Sequence, residues 1–251
     1  MNISLLEQKI DARAKRRGLT VSFQKLAYAT RAQFRPCAGR QFKRALFVGV
    51  GHGHDVIVAL SLSHIVKVIG VDPYYGDDGN DNSDYEGLLS TIDEMKLADR
   101  FTVFKGTIQE YLVQHQDTDL FDLIILPDVL HHIFVEKRPL EETNSFGDAV
   151  DLFQDLKRVA TGDCCLIINE VQRTGLRPWL HGLGIVKGNV DYSTKQGPSS
   201  WTKALIKAGW KRIEISTYVP WALRNTGPLF QNTIGRFTVS PRYALYFERD
   251  N

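Results

Sequence analysis

The chain predicts an α/β fold, a doubly wound and mostly parallel sheet, on three observations. From residue 45 onward, short runs rich in Val, Ile, Leu and Phe alternate with amphipathic segments. The runs show little polar alternation, as expected of strands covered on both faces. The chain between successive runs is long enough for a helical crossover, and repeated β-α units of this kind close as a parallel sheet with right-handed connections.

Taken in order, Ser4-Leu5-Leu6-Glu7 reads as a capping box and Gly18 as the left-handed stop of the helix it opens. A second helix is expected after Thr20, with Val21, Phe23, Leu26, Ala27 and Tyr28 on its apolar side, and Pro36 and Gly39 then break the chain. Strands are expected at 45–50, 66–71, 101–105, 120–126 and 164–169, with helices at roughly 54–63, 84–97, 107–115 and 147–160. Thr107-Ile108-Gln109-Glu110 is a second capping box. Val150, Phe153, Leu156 and Val159 share one helical face. The tail offers a helix near 200–208 and strands at 212–218 and 243–249. This divides the chain into an N-terminal helical extension, 1–43, and a main domain, 44–251, with insertions near 172–200 and 219–241.

Composition narrows the class. At 251 residues, 43% hydrophobic and 24% charged, the chain suits one large globular α/β domain with additions. No apolar run approaches the roughly 20 residues that span a bilayer, and the first residues lack the apolar core of a secretory signal. Of three cysteines, Cys37, Cys164 and Cys165, the last two sit inside an apolar run and read as small buried hydrophobes, so a soluble, cytoplasmic protein is expected. Residues 1–44 carry eleven Lys and Arg against Glu7 and Asp11, a net +9 that leaves −7 for the rest of a chain whose formal charge is +2. Such an arm either steers an anionic partner or is a solvated helical face.

The chemistry concentrates at Phe47-Val48-Gly49-Val50-Gly51-His52-Gly53-His54. Glycines at alternate positions, directly after a buried strand and opening a helix, let the backbone turn sharply and approach a ligand. Asp72 ends the second strand 23 residues after Gly49. In a doubly wound sheet those two strand ends are neighbours at the switch point, where a carboxylate can accept both hydroxyls of a ribose. Alternatively, Asp72 caps the turn before Pro73.

The series Gly49, Gly51, Gly53, then Asp72, then Phe121-Asp-Leu-Ile-Ile-Leu-Pro-Asp128-Val-Leu-His131-His132 resembles the Rossmann-like class I S-adenosylmethionine-dependent methyltransferases over about residues 44–170. The resemblance implies a seven-stranded sheet with an antiparallel last strand, supplied by the tail hairpin. It implies that Gly49, Gly51 and Gly53 hold the methionine part of S-adenosylmethionine, Asp72 its ribose, and Gly106 and Thr107 its adenine. Asp128 and the residues after it would then face the methyl group. Two positions depart from the family pattern: Phe47 stands where an acid is usual, and Thr107 replaces the acid near the adenine amino group.

His131 and His132 are the candidate catalytic residues, either of which is a possible proton acceptor from a hydroxyl or amine nucleophile. Equally, the pair only lines the site. The stretch from Asp77 to Asp84 resembles a calcium loop, but its last position is Leu88 rather than the bidentate Glu, so no metal is expected and Asp84 reads as a helix cap. Acceptors rank as small molecule, then peptide, then nucleic acid; Trp179, Tyr192, Trp201 and Trp221 either line a pocket or fill the core. The N-terminal helices are expected as a lid over cofactor and acceptor, or as a homodimer interface. Two rival readings stay open: a NAD(P)-dependent oxidoreductase, whose fingerprint wants its third glycine one position later than Gly53, and a catalytically silent binding protein on the same fold.

Overall fold

The computed structural model describes residues 3–16, 22–62, 65–75, 81–115, 120–185, 191–220, 223, 225, 233–238, 240 and 242–250. The chain divides into two compact units, Met1–Tyr111 and Leu112–Asn251, which supply the seven strands of one mostly parallel sheet.

The first unit opens with α1 (Ile3–Arg16) and α2 (Phe23–Gln33), followed by a 3₁₀ turn, Arg35–Cys37. Then come β1 (Phe42–Val48), α3 (His54–Leu62), β2 (Ile65–Asp72), α4 (Asn82–Glu94) and β3 (Phe101–Lys105). α5 (Ile108–Gln114) carries the chain into the second unit. The strands lie in the order β3-β2-β1, all parallel, with Val48 beside Val71 and Asp72 beside Lys105. Their C-terminal ends therefore share one edge. Ala45, Leu46, Phe47 and Val48 are each at most 3% exposed, which is why β1 reads as an unbroken apolar run. In α1 and α2, Leu6, Ile10 and Ala27 are buried, and α2 lies against α3.

The second unit contains β4 (Phe121–Pro127), the single-turn α6 (Leu130–Ile133), α7 (Ser145–Arg158), β5 (Ala160–Val171), α8 (Leu176–Gly182) and α9 (Pro198–Lys207). β6 (Trp210–Thr217), α10 (Thr233–Thr238) and β7 (Arg242–Arg249) complete it. The order is β4-β5-β7-β6; β5 runs parallel to β4, and β7 pairs antiparallel with both β5 and β6. Trp201, Trp210 and Phe153 form its core, with the Trp210 indole N–H donating to the Phe153 carbonyl at 2.9 Å. Trp201 is thus core, Trp179 is 60% exposed, and Trp221 lies outside the described residues. Cys37, Cys164 and Cys165 are buried thiols, as the apolar setting of the last two predicts.

Local capping departs from expectation in two places. α1 already includes Ser4, so that serine lies in its first turn instead of ahead of it. Asp81, not Asp84, caps α4: its carboxylate accepts from Ser83 N (2.8 Å) and Asp84 N (3.2 Å), while Asp84 Oδ2 accepts from Asp81 N. Asp84 is the reciprocal member of that capping box, three residues in. The Thr107–Glu110 box forms as read, with Thr107 N on Glu110 Oε2 at 2.7 Å and Glu110 N on Thr107 Oγ1 at 3.2 Å. Gly18, Asp77, Arg224 and Phe230 lie outside the described residues.

Candidate functional site

In the first unit the glycine turn leaves β1 and enters α3. Gly49, Gly51 and Gly53 have φ values of +79°, +49° and +70°, a region that costs any residue with a Cβ about 1–2 kcal/mol. Gly49 N donates to Val71 O at 2.8 Å, tying the turn to the end of β2. Asp72 sits there, 5% exposed, and its two oxygens address the backbone: Oδ2 accepts from Gly51 N at 2.8 Å and Oδ1 from Tyr74 N at 3.1 Å. Asp72 thus joins the two strand ends that sequence spacing placed together.

Three further side chains surround the turn. The Tyr74 hydroxyl donates to Gly51 O at 2.5 Å, and burial, then the Asp72 charge, pushes its phenol well above the usual tyrosine range. His52 Nδ1 pairs with Asp84 Oδ1 at 2.8 Å, which links the turn to α4, while His52 Nε2 is buried with no hydrogen-bond partner among the described residues. The Leu88 tip fills the face of Gly53: a Cβ added there would lie 2.3 Å from Leu88 Cδ1. At the end of β3, Gly106 is required by packing, because a Cβ would meet Phe104 at 2.5 Å and Glu110 Oε2 at 2.8 Å. The Thr107 hydroxyl next to it is engaged in capping α5.

In the second unit, β4 ends at Pro127 and the chain turns through Asp128, whose φ is +51°. Asp128 N donates to Asn169 O at 2.8 Å; Oδ2 pairs with the Arg242 guanidinium, and Oδ1 is buried with no hydrogen-bond partner among the described residues. α6 then begins without a capping side chain of its own. Glu170, at the end of β5 and 1% exposed, supplies the missing acceptor: Oε1 takes Leu130 N at 2.8 Å and His131 N at 3.4 Å. Its other oxygen lies 2.8 Å from His131 Nδ1. An ionised carboxylate only accepts, so Nδ1 is the donor and Nε2 is left as the basic nitrogen. His131 is 8% exposed; His132 is exposed, its ring centroid 4.1 Å from that of His131.

Lys195 completes this cluster. It is 8% exposed, and burial lowers its ammonium pKa against the pull of Glu170 and Asp128. Glu170, Lys195, Arg242 and Tyr74 escaped the sequence reading. Only Glu170 carried a usable signal, since it is an acid at the end of an apolar strand, as Asp72 is. Of the residues read from sequence, the structure gathers Gly49, Gly51, Gly53 and Asp72 at one turn, with Gly106 bonded through its N–H to Asp72 O at 3.1 Å. Asp128, His131 and His132 follow one another at the end of β4.

No family model and no curated protein matches the chain. Solved structures do match its fold. A SAM-dependent methyltransferase from Aquifex aeolicus superposes with a TM-score of 0.56 at 12% identity over 98% of each chain. One from Archaeoglobus fulgidus gives 0.53 at 18% identity over 99% of this chain and 100% of its own. The mitomycin 7-O-methyltransferase MmcR gives 0.57 at 14% identity, with 90% of this chain covering 53% of that one. The chain has the Rossmann-like class I methyltransferase fold.

Proposed function

We propose, with the class I fold as premise, that the chain transfers a methyl group from S-adenosylmethionine to an oxygen or nitrogen of a small molecule or peptide, with His131 as the base. The observation that carries this reading is the buried His131–Glu170 pair at the end of β4, where the family resemblance places the reacting methyl. A cofactor sulfonium supplies an electrophilic methyl carbon and a thioether leaving group. On methyl transfer the acceptor hydroxyl or amine would give up its proton to His131 Nε2, the thioether being the leaving group. Held by Glu170 through one hydrogen bond at Nδ1, with the backbone N–H groups of Leu130 and His131 bonded to the same carboxylate, the ring is oriented before the acceptor arrives, and such alignment contributes much of the rate of an in-line displacement.

The first unit suits the cofactor in kind. Asp72 is a carboxylate at the turn, the kind of group that accepts ribose hydroxyls, the three glycines bring bare backbone to the surface of the turn, and the buried His52 Nε2 beside them has no hydrogen-bond partner among the described residues. The Leu88 tip at Gly53 is what an incoming ligand displaces. Gly49, Gly51 and Gly53 hold its amino-acid end, Asp72 its sugar, Gly106 and Thr107 the adenine side, and Asp128 the methyl side.

A second reading, a silent binding protein, draws on Gly51, whose N–H and carbonyl are both engaged within the chain. Calorimetric titration with S-adenosylhomocysteine and with NADH separates the readings. Binding of the first alone, with turnover lost in His131→Ala, supports methyl transfer. No affinity for S-adenosylhomocysteine rejects it in favour of the silent protein, and NADH binding alone points to an oxidoreductase.

A further inference from the structure

Methyl transfer by His131 gives no reason for Lys195 to be buried. The residue lies on the segment leading into α9, and its backbone is held from several sides. Arg173 Nε donates to Lys195 O at 2.9 Å. The neighbouring Gln196 donates to the carbonyls of Glu136 and Arg138, both at 3.0 Å, and accepts from Leu140 N at 3.1 Å. Its own carbonyl accepts from the Tyr243 hydroxyl at 3.0 Å. The backbone that carries the lysine is therefore held in place.

Its ammonium closes no ion pair among the described residues. The charges that act on it most are Glu170 and Asp128, and both are engaged elsewhere: Glu170 by Leu130 N and His131 Nδ1, Asp128 Oδ2 by Arg242. A lysine more than nine-tenths buried is rare unless its charge is paired, and Lys195 has no such pair among the described residues, which marks it as a candidate for a group that a ligand completes. In the same cluster, Asp128 Oδ1 is a buried acceptor without a donor among the described residues. The site thus presents one open donor and one open acceptor close to the His131–Glu170 pair.

We propose that Lys195 anchors a carboxylate of the methyl acceptor, so that the acceptor is a hydroxy acid whose hydroxyl is presented to His131. The identity of the acceptor rests on the methyltransferase reading; the carboxylate site itself does not. The reaction keeps the balance given above, the acid end staying ionised and unreacted while the hydroxyl becomes a methyl ether.

The test is a calorimetric titration of the full chain with 4-hydroxybenzoate and 3-hydroxybutyrate, each compared with its primary amide, which keeps shape and removes charge. Wild type should bind at least one acid about 10- to 100-fold more tightly than the amide, the range of one charge-assisted hydrogen bond. Lys195→Met should remove that preference and leave amide binding unchanged, and Lys195→Arg should retain most of it. Acids bound no better than amides, or a preference that survives in Lys195→Met, overturns the proposal, and the wild-type comparison decides even if a variant misfolds. S-adenosylhomocysteine titrated in parallel keeps the two readings apart. Acid preference without adenosyl binding retains the carboxylate site and rejects methyl transfer; adenosyl binding without acid preference does the reverse.

Discussion

Glu170→Gln separates the structural duty of this carboxylate from its chemical one. In the native protein its Oε1 accepts from Leu130 N at 2.8 Å and Oε2 from His131 Nδ1 at 2.8 Å, with His131 N more distant at 3.4 Å. Glutamine keeps one acceptor oxygen for the first turn of α6 but turns an NH₂ toward the ring. To avoid two opposed donors, the imidazole must then carry its proton on Nε2, the nitrogen that has to accept one. Stability should fall by only about 1–2 kcal/mol, the net worth of one charge-assisted bond, whereas loss of a general base costs about 100- to 10,000-fold in turnover. Glu170→Ala is the contrasting variant. It strands two well-made buried donors at about 1–3 kcal/mol each, so a loss of about 2–6 kcal/mol is expected, a large share of the roughly 5–15 kcal/mol of a typical domain. Urea unfolding followed by tryptophan fluorescence reads the stabilities; with a slope near 3 kcal/mol per molar, a 3 kcal/mol loss moves the midpoint by about 1 M. Release of S-adenosylhomocysteine reads turnover. Wild-type turnover in Glu170→Gln, or a Glu170→Ala loss below about 0.5 kcal/mol, refutes the assigned role.

Three further outcomes are expected. Gly53→Ala should cost about 1–3 kcal/mol, because φ is +70° and the new Cβ meets Leu88 Cδ1 at 2.3 Å; in a double-mutant cycle with Leu88→Ala the clash disappears and the φ cost stays, so strictly additive losses argue against the contact. For Glu141, burial pushes the carboxyl up, but the Lys203 ammonium bonded to it at 2.6 Å, together with hydrogen bonds from Ser200 and the backbone, outweighs this and holds it at about 2. A depressed carboxylate contributes stability above its unfolded value of 4.5 and loses it as pH falls toward 2, so the difference in urea midpoint between wild type and Glu141→Gln should be constant above pH 4.5 and vanish near pH 2. Deleting residues 1–40 removes the buried Leu6, Ile10 and Ala27 and should lower the melting temperature of the first unit while abolishing turnover; wild-type turnover in the truncated chain rejects the lid.

Strands and the glycine turn were legible in the sequence because their causes are local. A run such as Leu123–Leu126, buried on both faces, carries its own signature, and three alternate glycines announce left-handed backbone wherever they occur. Asp72 was legible as well, since its place at the end of β2 follows from the repeat of strand and helix. What the side chains do to one another was decided only by tertiary structure. His131 and Glu170 are 39 residues apart, and nothing near either position says that they share a proton. Asp81 displaces Asp84 as the cap of α4 and leaves Asp84 to His52, a choice between neighbours of equal propensity. Lys195 would read as one more surface lysine until the network around Gln196 buries it. Propensity and periodicity act over a few residues, whereas the partner of a buried charge is set by where distant strand ends are brought together.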